Sequence, residues 1–448
     1  MSATSSNEST GKHIVIIGGG FAGTATALKL EKTFRRDPSV EITLIDSENF
    51  FTFTPLLAEV PSGSIQPNHI VVPLRALLKR TKVKQAEVKS VDLKNRTVIA
   101  AHCDFCGNES LPFDQLVLAP GSVSNYFGLP GVAEHALTIK SLADATALHA
   151  HVIDKLEHAD LQGDPDVRRQ LLTFIVAGGA FAGVETLAEL NDFVRGATKF
   201  YLNVSPEDVR MVLIHSGSRI LPEVSESLSA YALEKLRSRG VEVLLETRVL
   251  GSTGDSVRLS GGQELHADTL VWAAGTAPSP ILGRLDLPRT KSGKIEVDAT
   301  MAVSGHPGVW AVGDSAAIPD VVTGGLCPPT AQYALRQGKR LAQNIAAVLE
   351  GPGSGTVQVQ GPRSSRRSGP AQCGGGDSRF QVFRLRRLVA LADDLPDEIA
   401  RLRAQIAGGD RLDPRSVFPA RHCLFEASAH LTPPGPSKIR RICAARLR

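Results

Sequence analysis

The residues with the clearest chemical reading are glycines. Gly18, Gly20 and Gly23, within Gly18-Gly19-Gly20-Phe21-Ala22-Gly23, follow the apolar run Ile14-Val15-Ile16-Ile17 at the spacing G-x-G-x-x-G. That spacing suits the pyrophosphate of a dinucleotide. The first glycine makes the tight strand-to-helix turn, the second lets backbone approach the phosphates, and the third lets the helix pack close to the strand. The helix N-terminus then faces the negative charge. Asp46 closes the next apolar run, Val40 to Ile45, at the distance expected of an acid that binds a ribose. The pattern returns as Phe174-Ile175-Val176-Ala177-Gly178-Gly179-Ala180-Phe181-Ala182-Gly183-Val184-Glu185. This second copy departs from the first in two places. Ala180 replaces the middle glycine, so a methyl group is expected to push against the pyrophosphate. His215 stands where an acid would be expected, with Arg219 nearby.

Both motifs need strands and helices to hold them. A helix is predicted from Thr24 to about Phe34, and another through about Val194. Leu116 to Gly121 and Thr269 to Thr276 read as two matching strand-turn units containing Ala119, Gly121 and Gly275. Gly308 to Val312 reads as a further buried strand, ending in Gly313-Asp314. Pro329-Thr330-Ala331-Gln332 opens a helix that runs to Leu349. Val83 to Ala101 alternates like antiparallel strands. Leu74 to Lys79 and Leu142 to His158 read as helices, and Gln162 to Asp166 as a loop. The cluster Asn49-Phe50-Phe51-Thr52-Phe53-Thr54-Pro55 suggests a loop that packs on a flat ligand, or one anchored in the core.

Bulk properties narrow the class. A chain of 448 residues is expected to hold two or three domains. With 42% hydrophobic and 21% charged residues, it has the composition of an ordinary globular protein. A net charge of +4 gives no reason to expect a nucleic-acid partner. Met1 to Lys12 lacks the apolar core of a secretory signal. No apolar run approaches the ~20 residues of a membrane span. Six cysteines in a chain this long do not form a disulfide framework, so a reducing, cytoplasmic location is the default. Cys103 and Cys106 form a lone C-x-x-C with no second pair for a zinc site, and they read as turn residues; no metal is expected.

Together these features resemble the two-dinucleotide-binding-domain flavoproteins over residues 12 to about 350. The resemblance implies an α/β fold with two Rossmann-like domains, the NAD(P)H domain inserted in the FAD domain. Residues 11–140 and 281–350 would form the FAD domain, and 141–280 the NAD(P)H domain. It implies that Gly18, Gly20, Gly23 and Asp46 bind FAD and that Asp314 holds the flavin's ribityl or pyrophosphate region, with Gly19, Phe21, Ala22, Pro55, Ala119, Gly121 and Gly313 as further cofactor-binding residues. Gly178, Gly179 and Gly183 would serve the nicotinamide nucleotide, and Gly275 is a further cofactor-binding residue. The early cysteine pair of the family's disulfide reductases is missing, because no cysteine precedes Cys103.

Thr54-Pro55-Leu56-Leu57, Gly183-Val184-Glu185 and Pro329-Thr330-Ala331-Gln332, with Ala334, Gln337 and Gly338, are similar to type II NADH dehydrogenase, the single-subunit NADH:quinone oxidoreductase. That resemblance implies hydride transfer from NADH to flavin, then two electrons to a quinone. Glu185 and Gln332 would lie near the flavin ring as catalytic groups, with Ala331 beside them. The bland alternatives are an acid favoured in the first turn of a helix and a helix-capping glutamine. With His215 and Arg219 at the second site, NADPH is open beside NADH. Two other readings are retained: a reductase of another acceptor such as ferredoxin, and a catalytically impaired redox-sensing flavoprotein. Peripheral contact with the cytoplasmic face of the inner membrane, and a homodimer, belong to the same set of expectations.

Residues 351–448 do not resemble that family's Trp-rich, membrane-seating C-terminus. They contain no Trp and are rich in Arg, Pro, Gly and Ser. Two readings are open: a disordered basic tail, or the product of a reading-frame shift near residues 350–370. Val382 to Ala392 can be encoded by codons that, read one base later, give Phe-Ser-Gly-Phe-Ala-Ala-Trp-Trp-Leu-Trp.

Overall fold

The structure, a computed structural model, describes residues 12–102, 107–321 and 324–350. The Cys103/Cys106 pair and the whole of the 351–448 tail lie outside the described residues. All the described residues fall within one compact unit.

The strands and helices that position the site are, in chain order, β1 (Lys12–Ile17), α1 (Phe21–Thr33), β2 (Val40–Asp46), β3 (Lys82–Gln85), β4 (Gln115–Leu118), β5 (Leu137–Thr138), β6 (Thr173–Ala177), α2 (Phe181–Ala197), β7 (Arg210–Ile214), β8 (Val241–Leu244), β9 (Thr269–Trp272), β10 (Val309–Ala311) and α3 (Ala331–Glu350). They build two parallel five-stranded sheets. The first has the order β10-β4-β1-β2-β3 and the second β5-β9-β6-β7-β8. Every strand of the second sheet falls in sequence between β4 and β10, so one sheet is nested inside the chain of the other. A two-stranded antiparallel ribbon, Ser122–Ser124 on Thr276–Pro278, ties the outgoing and returning crossings together.

The central strands are buried on both faces, as parallel sheets require. Ile14, Val15, Ile16 and Ile17 are 0–4% exposed, and Phe174, Ile175 and Val176 are fully buried. β-Branched side chains pack well on such a pleated surface. Helix α3 lies on α1 at a contact that only a small residue permits. A Cβ on Gly338 would stand 2.4 Å from the Ala22 carbonyl oxygen. The Thr26 hydroxyl bridges the two helices, donating to Ala22 O at 2.8 Å and to Gly338 O at 3.2 Å.

Three local expectations are corrected. The helix predicted from Thr24 begins at Phe21, directly on the glycine turn. The 162–166 loop is shorter than expected, because Asp164 caps a helix over Pro165–Leu171; proline is pre-organised for the first helical position. Residues 87–92 and 97–101 are antiparallel, as the alternation suggests, but Lys82–Gln85 is instead the parallel edge of the first sheet.

Candidate functional site

The two glycine turns repeat each other bond for bond. Gly18 has φ +105° and Gly178 φ +125°, a region open to glycine. Their amides donate to Ile45 O and Ile214 O, both at 2.8 Å. A Cβ on Gly18 would fall 2.1 Å from Ala119 O, and one on Gly178 2.5 Å from Ala273 O. Gly23 and Gly183 each back onto the carbonyl of the first glycine, leaving 1.9 Å for a Cβ. These four positions are glycine because the strand, helix and neighbouring strand-end meet there.

Gly20 is different. A Cβ there would meet no protein atom within 4 Å. It sits at the start of α1 with no side-chain cap, so the first amides of the helix are open. Ala180 starts α2 in the same way, also without a side-chain cap, at φ −82° and ψ 178°. Gly20 has φ −72° and ψ −164°, so alanine adopts this backbone without strain. A methyl group at the Gly20 position would therefore meet only what occupies the cavity.

That cavity, of about 1280 Å³, is lined from both turns: Gly20, Phe21 and Ala22 on one side, Gly178, Gly179 and Ala180 on the other. Two open helix N-termini on one cavity form two anion cradles. The donor set and the space left by Gly20 fit an extended dinucleotide such as FAD at the first cradle. Pro55, Ala119, Gly121, Gly275, Gly313, Asp314, Ala331 and Glu185 line the same cavity. Gly18, Gly19, Gly23, Gly183 and Asp46 stand behind the lining and shape it. Asp46 accepts the Gly19 amide on Oδ2 and the Glu48 amide, at 2.7 Å, on Oδ1. Burial pushes its carboxyl above the usual range.

The aromatic cluster does both things read for it: Phe51 anchors it in the core, and Thr54 and Pro55 at its end line the cavity. Phe51 is 3% exposed and meets Phe21 edge-on at 4.9 Å, while Phe53 meets Phe21 at 5.7 Å. Glu185 is the fifth residue of α2, beyond its first turn. The helix-dipole explanation for that acid is therefore weaker than its place in sequence suggests. Gln332 lies in the first turn of α3, half-buried beside Ala331, and is not part of the cavity lining. The capping considered for Gln332 falls to Thr330 instead, whose hydroxyl accepts the Tyr333 amide at 3.4 Å.

The sequence reading missed a polar chain beside Asp314. Lys140 Nζ donates to Ser122 Oγ at 3.1 Å, and Ser122 Oγ donates to Asp314 Oδ2 at 2.8 Å. Desolvation lowers the Lys140 ammonium below its ordinary value, and the charge of Asp314 opposes that. Lys140 stands at the start of a helix, where it reads as a solvated charge, so periodicity gives no sign of it. The Ala119-Pro120-Gly121-Ser122 turn was the available clue.

Two nested parallel sheets, each with a glycine-rich turn opening on one shared cavity, define a two-dinucleotide-binding protein. Sequence comparison agrees: residues 12–338 match the pyridine nucleotide-disulphide oxidoreductase family. The chain is 31% identical over 346 residues to the type II NADH:quinone oxidoreductase of Staphylococcus aureus, covering 76% of this chain and 83% of that one. It is 29% identical over 360 residues to the mitochondrial external alternative NADH-ubiquinone oxidoreductase of Yarrowia lipolytica, covering 76% of this chain but only 60% of that relative. In structure it resembles NDH2 of Plasmodium falciparum solved in complex with NADH, with a TM-score of 0.70 at 21% identity, over 75% of this chain and 83% of the other. The chain belongs to the pyridine nucleotide-disulphide oxidoreductase family, in its type II NADH:quinone oxidoreductase branch.

Proposed function

We infer that this protein is a flavin-dependent NADH dehydrogenase that delivers electrons to a quinone. The single observation that carries the reading is the shared cavity, with an uncapped helix N-terminus opening on it from each sheet. When bound, FAD supplies a two-electron relay between the hydride of NADH and the quinone, chemistry that no side chain provides.

The chain's own residues bind, orient and supply protons. The Gly18–Gly23 turn and the α1 N-terminus hold a pyrophosphate. Asp46 fixes the turn through Gly19, and its carboxylate is the acceptor for a ribose. Asp314, tethered to Ser122, holds the polar chain of the flavin. The second cradle, Gly178 to Gly183, holds the nicotinamide nucleotide. Glu185 projects into the cavity from the helix that this cradle opens. It orients the nicotinamide or carries a proton toward the acceptor. Glu185→Gln is expected to retain bound flavin and to slow anaerobic flavin reduction by NADH by at least tenfold. Gln332, between the lining residues Ala331 and Ala334 on α3, is assigned to the quinone side.

Residues 11–140 and 281–350 form the FAD-binding part in this reading, and 141–280 the NAD(P)H-binding part. Contact with a membrane surface is part of it too, because quinones partition into lipid. Val321 and Leu326, 54% and 57% exposed, stand close in sequence to cavity-lining Pro329 and support that contact. Among the described residues no helix is long and apolar enough to cross a membrane.

The deciding experiment is anaerobic titration of the purified yellow protein with NADH, followed by a menaquinone or ubiquinone analogue. Bleaching by NADH and recovery of colour with quinone is the expected result. Recovery only with a protein acceptor such as ferredoxin would favour the other reductase class. A protein that remains colourless after incubation with FAD would end the reading.

A further inference from the structure

The two cradles differ at the residue that closes the second strand of each sheet. In the first, the Asp46 carboxylate accepts the Gly19 amide. In the second, His215 takes the same place, and its Nδ1 accepts the Gly179 amide at 3.1 Å. The far side of the ring lies against the Gly217 turn, where a Cβ would fall 2.8 Å from Nε2. The imidazole is thus clamped between two turns, with Gly179 and Gly217 leaving it room; a Cβ on either would fall within 3 Å of the ring. It preserves the hydrogen bond that shapes the turn and removes the negative charge.

That exchange alters which ribose the site can take. A carboxylate at this point accepts from both hydroxyls of the adenosine ribose and repels a 2′-phosphate, whereas a 2′-phosphate site needs a cation and donors instead. Arg219 is not the cation. Its guanidinium is spent on its own loop, donating to Val224 O and Pro222 O, both at 2.9 Å. Arg248 is. The Glu246 and Thr247 amides donate to Gly217 O and His215 O, both at 3.0 Å, which sets the next residue, Arg248, beside the His215-Ser216-Gly217 turn. Arg248 is exposed, lines the cavity with Ser216, and makes no ion pair among the described residues. Of the acids in the lining, Glu185 lies a turn into α2 and Asp314 belongs to the other cradle. Glu223, in the loop after β7, is the remaining one. It offers an acceptor for a ribose hydroxyl and tempers the positive charge.

We propose that the second cradle takes NADPH as well as NADH, with Arg248 and the Ser216 hydroxyl receiving the 2′-phosphate. The proposal rests on the reading of this cavity as the nicotinamide nucleotide site. Glu223 keeps NADH a substrate, so dual use is expected rather than an exclusive preference for NADPH.

The test uses the flavin-loaded enzyme, with NADH bleaching verified first and a soluble quinone analogue as acceptor. The readout is the NADPH:NADH ratio of kcat/KM. For the unaltered protein the ratio is expected within about tenfold of unity. Arg248→Ala should lower it by roughly tenfold, the loss of one charge-assisted phosphate contact. His215→Glu should lower it further by restoring the repulsion. As a binding readout, adenosine 2′,5′-bisphosphate should compete more strongly than ADP, and the difference should shrink in Arg248→Ala and at high salt. A ratio below about one hundredth that neither substitution moves would overturn the proposal while leaving the dehydrogenase intact. Bleaching by neither nucleotide would overturn both.

Discussion

At the scale of single residues, the site contains two kinds of glycine that one sequence motif does not separate. Gly23 is required by the protein itself, since a Cβ there meets Gly18 O at 1.9 Å, whereas Gly20 faces open space. The two should therefore fail differently. Gly23→Ala is expected to destabilise the fold by about 1–3 kcal/mol through overpacking, seen as a lower Tm. Gly20→Val should leave the Tm of the flavin-free protein nearly unchanged and abolish flavin binding, read from absorbance near 450 nm. His215 supplies a pH test. Burial is the main cause that holds its imidazole below the ordinary value of 6.5, against the raising effects of the Arg219 backbone and Glu223. Its Nδ1 accepts from Gly179 only while neutral. The neutral form is favoured in the fold, so its contribution is complete above pH 6.5 and is lost as pH falls toward the depressed value. KM for the nicotinamide nucleotide is expected to hold steady through pH 6.5 and to rise only as pH falls to the depressed value below it, and His215→Asn should flatten that rise. The glycines and Asp46 were legible in the sequence because their spacing is short-range. Lys140 and Arg248 were not, since each reaches the cavity through a turn whose course depends on distant pairing.

At the scale of elements, β-branched runs followed by glycine fixed the strands and the helices they launch. The local rules failed where tertiary context overrode them. Lys82-Val83-Lys84-Gln85 alternates like a hairpin strand but pairs in parallel with β2. Asp164-Pro165 reads as a turn and is a helix start. The α1–α3 contact was hidden in a different way, because Gly338 was read only as part of the stretch that carries the family resemblance. In the structure it is the point where two helices touch. Gly338→Leu is expected to force α3 off α1, lowering the Tm by several degrees and weakening flavin retention, since Ala22 and Ala331 line the same cavity. A control change at Gly196, where a Cβ meets nothing within 4 Å, should do neither.

At the scale of the whole molecule, the duplicated motif was enough to read two dinucleotide units from sequence, and the resemblance to two-dinucleotide-binding-domain flavoproteins supplied their nesting. The second motif is bracketed by strand signals of the first unit, in keeping with that nesting. The composition of the shared cavity was less legible, because its walls come from both units. The membrane contact gives a test at this scale. The flavin-loaded protein is expected to sediment with vesicles carrying a quinone, and Val321→Ser with Leu326→Ser should lower the bound fraction at least threefold. Equal sedimentation of the double variant would assign the contact to another surface.

The nesting of the sheets also governs how the polypeptide is assembled as it leaves the ribosome. Val309 pairs with Leu116, so the outer edge of β4 waits for its last partner until the inserted sheet has been synthesised. The inserted sheet takes all five of its strands from one uninterrupted stretch, Leu137 to Trp272. It is able to close first, and the half-built outer sheet is exposed to mispairing meanwhile. A chain halted before Val309 should accordingly yield a protease-resistant inner fragment and an outer half that chaperones retain.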